Sequence, residues 1–147
     1  LTRINLLIIG KYQILCNIKI IMKNNVIKLI KYLYYFSLIA LFILYLFPGS
    51  LIGYFLYGDL GKQPNLLDNP IGTSINHLFC FMYLTTLAVI GNLKKTQIFS
   101  NVYFIFFISF FLEISHIFIP NRAFELYDLL ANIAGVLIIF LFRKLIK

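Results

Sequence analysis

The chain has 147 residues, of which 61% are hydrophobic and 12% charged, and it carries a formal net charge of +8. Its mean hydropathy is +0.91. A soluble domain carries roughly a quarter charged residues, so a soluble globular class is excluded. The positive charge does not indicate a nucleic-acid partner, because the Lys and Arg residues stand at the ends of apolar runs rather than on one soluble face. The partner implied is the lipid bilayer. Cys16 and Cys80 form no CxxC or other metal-binding spacing, and an isolated Cys in an apolar run reads as a small buried hydrophobe.

Residues 1–21 are apolar but interrupted by Arg3, Lys11 and Lys19, so they hold no stretch long enough to span a bilayer. Two readings are open: an interfacial amphipathic helix, or sequence upstream of a start at Met22. The second is the expectation adopted here, with residues 22–147 as the transmembrane domain. The first span is expected at residues 28–47, ended by Pro48-Gly49-Ser50. Residues 51–57 then lie at the interface. Residues 59–74 are rich in turn formers, including Gly61, Pro64, Asn65, Asp68, Pro70 and Gly72. Further spans are expected at residues 75–90, 98–119 and 127–142, the third ending at Pro120. The expected fold is an all-α membrane bundle of four transmembrane helices.

Basic residues set the orientation. Lys19, Lys23, Lys28 and Lys31 precede the first span, Lys94 and Lys95 follow the second, and Arg143, Lys144 and Lys147 follow the fourth. The opposite loops hold only Lys62 and Arg122, offset by Asp59, Asp68 and Glu125. The positive-inside rule puts both termini in the cytoplasm.

On this topology a set of polar residues converges on the outward end. Glu113 and His116 lie three apart near the end of the third span and share a helix face. Arg122 sits in the loop Pro120-Asn121-Arg122. Asp128 and Asn132, four apart, open the fourth span, with Gly135 continuing their stripe so that a neighbouring backbone approaches closely. Asn76 and His77 open the second span. Ionisable groups in a membrane cost about 2.5–3.5 kcal/mol each at a helix centre, so such a cluster marks a site or a structural lock. Each member also has a bland role. Glu113 pairs with Arg122 or His116, Asp128 caps the fourth helix, and Asn132 bonds neighbouring helices. Glu113-x-x-His116 has the spacing of carboxylate-bridged di-iron bundles, but no second such pair exists. His77, Glu113 and His116 have the donor types of a zinc site. With no further motif, the expectation is no metal, no cofactor and no assigned catalytic residue.

The block Glu113-Ile114-Ser115-His116, then Pro120-Asn121-Arg122, then Asp128-Leu129-Leu130-Ala131-Asn132-Ile133-Ala134-Gly135 resembles the VanZ-like family of bacterial membrane proteins. That pattern is approximately E-x-x-Q, P-x-R and D-x-x-x-N-x-x-G. His77 matches the family's histidine at the start of the second span. The similarity covers residues 28–147, with specific motifs only in the second half. His116 stands where Gln is usual. Thr73 and Ser74 stand where Asp and Lys commonly precede the histidine.

The resemblance implies a four-helix protein of the bacterial inner (cytoplasmic) membrane, in the cell envelope, and a link to low-level glycopeptide (teicoplanin) resistance. Three classes of function are carried forward. One is an envelope protein altering glycopeptide access through an outward-facing pocket for an anionic ligand. A second is a membrane enzyme acting on a lipid-linked or anionic headgroup, with Glu113 or His77 as acid or base. A third is a non-catalytic partner subunit whose polar cluster only locks the helices.

Overall fold

A computed structural model describes residues 2–64, 72–91 and 102–145. Among the described residues the chain is all-helical, with α1 at Thr2–Leu46, α2 at Leu51–Tyr57, α3 at Gly72–Gly91, α4 at Val102–Ser115 and α5 at Leu126–Leu145. A 3₁₀ turn at His116–Phe118 extends α4. Three stretches are long and apolar enough to cross a membrane: Ile20–Leu46, Ser74–Gly91 and Leu126–Leu145. They fit a membrane protein. The third expected span is shorter than a full crossing here, an apolar helix over Val102–Phe118; residues 98–101, assigned to it from the sequence, lie outside the described residues. So do Lys94 and Lys95, and Asn65, Asp68 and Pro70 of the 59–74 loop.

α1 runs continuously from Thr2 to Leu46, through Met22. Its packed face repeats at helical spacing, with Tyr34, Leu38, Leu41 and Tyr45 buried, while Tyr32, Phe36, Ile39 and Ile43 are exposed. Phe47 precedes Pro48, which disfavours helical backbone at the preceding residue, and Gly49 takes φ +89 to turn the chain. Ser50 then caps α2 by accepting from the Gly53 N–H at 2.9 Å. Left-handed Gly58 closes α2. The short helix exposes Tyr54, Phe55, Leu56 and Tyr57, a composition suited to the membrane–water boundary.

The core is where α3 lies along α5, with α1 against α3 and α4 against α5. Gly135 permits the closest approach. A Cβ there would stand 2.5 Å from the Leu78 carbonyl oxygen and 3.1 Å from the Phe81 Cβ, so the glycine expected to admit a neighbour does so. Ile105, Ile108 and Leu112 of α4, Phe81 and Leu84 of α3, and Val136 of α5 fill the apolar middle. Many of the exposed side chains on α1, α3, α4 and α5 among the described residues are large and apolar.

Candidate functional site

The C-terminal ends of α1 and α4 meet the N-terminal ends of α3 and α5. That juxtaposition gathers every polar residue singled out in the sequence. Glu113 is fully buried. Its Oε1 accepts from the Glu125 backbone N–H at 3.3 Å and lies 3.3 Å from His116 Nδ1. Its Oε2 accepts from Asn132 Nδ2 at 3.4 Å and lies 3.8 Å from His77 Nδ1. The i,i+3 spacing of Glu113 and His116 does bring them together. His116 sits in the 3₁₀ turn, stacks on the Tyr45 ring at 5.5 Å, and points Nε2 at the Tyr45 carbonyl, 3.2 Å away.

Arg122 does not pair with Glu113. Its Nη2 donates to the Leu44 carbonyl at 2.8 Å and its Nε to the Phe47 carbonyl at 3.5 Å. The reason lies in α1, whose last turn has no basic residue of its own. The terminal carbonyls of a helix have no partner within it, and the guanidinium supplies one. Burial pulls the Arg122 guanidinium below its ordinary value, opposed by Tyr45, Glu113 and Asp128.

Asp128 does not cap α5 through its side chain either. The chain enters α5 one turn earlier, and the Glu125 carbonyl accepts from the Asp128 and Leu129 N–H groups, each at 3.1 Å. Asp128 thus falls inside the first turn, where its charge suits the positive helix end. Its oxygens turn to α3: Oδ1 accepts from Ser74 Oγ at 2.5 Å, and Oδ2 lies 3.5 Å from His77 Nε2. Asn132, also fully buried, joins three helices. Its Nδ2 reaches the Ser109 carbonyl at 3.5 Å and Glu113, while its Oδ1 accepts from Tyr45 Oη at 3.1 Å.

The sequence did not mark Tyr45 or Ser74. Tyr45 is the hub of the cluster, with its Oη 2.8 Å from His77 Nδ1. Its visible signal was a place on the packed stripe of α1 just before Pro48, and the tyrosine-rich composition hid it. Ser74 stood out only as a departure from the family pattern, yet it holds Asp128.

A cavity of about 150 Å³ opens beside the cluster, and Tyr45, Ser50, Asn76, His77, Cys80 and Arg122 contribute to its wall. Asn76 Nδ2 donates to the Pro64 carbonyl. Its buried Oδ1 has no hydrogen-bond partner among the described residues. Compared with protein-family models, curated proteins and solved structures, the chain matches none.

Proposed function

We propose that the chain is a VanZ-like, four-span protein of the bacterial cytoplasmic membrane, with both termini inside. Its outward cavity takes an anionic envelope ligand and so bears on glycopeptide (teicoplanin) access to cell-wall precursors. The observation that carries this is the cavity wall, which combines a half-buried cation with an imidazole and an acceptor left without a partner among the described residues. Arg122 has five N–H donors and spends contacts on two carbonyls, so donors remain for a phosphate or carboxylate. Asn76 Oδ1 accepts an N–H or O–H of the same ligand.

The test is teicoplanin susceptibility in a susceptible host, read together with membrane abundance. Arg122→Lys abolishes the phenotype at unchanged abundance if the pocket is functional. An equal fall in both rejects it. Topology is tested separately by reporter fusions after Lys62 and after Lys95, which report opposite compartments; the same compartment for both rejects the four-span arrangement.

A non-catalytic subunit is the second reading, favoured by the saturation of Glu113 and Asn132 with partners from three helices. Tolerance of Glu113→Gln in the same assay supports it.

A further inference from the structure

The direction of each proton in the cluster can be followed from one end to the other. Asn132 Nδ2 faces only acceptors, the Ser109 carbonyl and Glu113 Oε2. The other amide atom is therefore the oxygen, and it receives the single hydroxyl proton of Tyr45. With that proton committed, Tyr45 Oη can only accept from His77 Nδ1, which must carry a hydrogen. The neutral imidazole has just one N–H. Its Nε2 is then a bare lone pair, and it faces Asp128 Oδ2 at 3.5 Å. The other carboxylate oxygen already accepts from Ser74. Two acceptors facing each other need a cation between them, a proton or a metal ion.

Glu113 supplies a third donor. One ligand atom each from His77, Glu113 and Asp128 lies within 4.8 Å of the others. Two ligands of tetrahedral zinc, each about 2.1 Å from the metal, stand ~3.4 Å apart, close to the His77–Asp128 separation. Among the described residues the only ion-pair contacts of the two carboxylates are imidazoles. Two buried carboxylates need compensation, and a divalent cation neutralises both.

We propose that His77 Nε2, Asp128 Oδ2 and one carboxylate oxygen of Glu113 bind a zinc-type divalent metal, leaving one coordination position open. Asp128, rather than His116, completes the ligand set. Tyr45 and Ser74 are positioning residues: Tyr45 fixes the His77 tautomer, and Ser74 aims the Asp128 carboxylate. The inference goes beyond the pocket function and stands without it, because metal loading is read with no envelope ligand present.

The experiment uses the full chain in detergent, stripped with a chelator and titrated with Co²⁺. Wild type takes up one Co²⁺ per chain with the visible absorption of a four-coordinate ion, and Zn²⁺ displaces it. Asp128→Asn and His77→Gln weaken binding about 100-fold or more. Tyr45→Phe and Ser74→Ala, which leave all three ligands in place, weaken it about 10–100-fold. Helical circular dichroism and monodispersity qualify each variant. Absence of stoichiometric Co²⁺ in wild type overturns the proposal by itself, with a proton then holding the His77–Asp128 pair. Wild-type affinity in folded Asp128→Asn and His77→Gln overturns it equally.

Discussion

Two layers of polar side chains lie side by side at the same end of the bundle and differ in what they leave free. The inner layer is His116 and Asn132, which meet at Glu113. None of the three is more than 3% exposed, and their bonds reach α1, α4 and the start of α5. The outer layer is His77, Asn76 and Arg122, which line the cavity. His77 is 13% exposed at its side chain, and Asn76 retains an unmatched acceptor. Where neither water nor lipid can satisfy a polar group, the helices must do it for one another. A layer satisfied in this way fixes helix positions. A layer that is only partly satisfied has donors and acceptors left for a ligand.

The comparison is sharpened most by Asn132→Leu. It removes the Tyr45, Ser109 and Glu113 contacts and strands a buried carboxylate oxygen. The expected loss is about 3–5 kcal/mol, read by denaturant titration in detergent. Gly135→Val comes next. Its side chain meets the Leu78 carbonyl and Phe81, the overpacking costs about 1–3 kcal/mol, and both layers loosen together because α3 is pushed off α5. Arg122→Lys replaces a two-point contact on α1 by a single ammonium and costs about 1 kcal/mol, far less than its effect on the phenotype.

The smallest effect concerns Glu125, outside the apolar helices. Burial, with Asp128 and Glu113 adding to it, raises the Glu125 carboxyl above its ordinary value. A raised acid destabilises the fold while ionised, and the penalty fades as pH falls through the folded value and is gone below the unfolded one. Glu125→Gln therefore raises the melting temperature slightly at neutral pH and not in acid. An equal rise at both pH values rejects the assignment.

Much of this was legible in the sequence because helical spacing is rigid. The i,i+3 pair Glu113 and His116, the i,i+4 pair Asp128 and Asn132, and the glycine at 135 all share the end and face that periodicity gave them. Partner choice was not legible. Arg122 and His116 were both open as partners of Glu113; His116 takes that place, and Arg122 goes to the uncapped carbonyls of α1, some 75 residues away in sequence. Capping the fourth helix was one role open to Asp128, but the helix entry at Leu126 frees its oxygens for Ser74 and His77. Both outcomes depend on which helix ends meet, and a single helix's pattern does not contain that.

The two layers do different work. The most direct measurement compares His77→Gln with Asn132→Leu for membrane abundance and teicoplanin susceptibility in the same host. The account predicts that His77→Gln keeps its abundance and loses the phenotype, whereas Asn132→Leu loses both. Parallel loss of abundance in the two variants would contradict it.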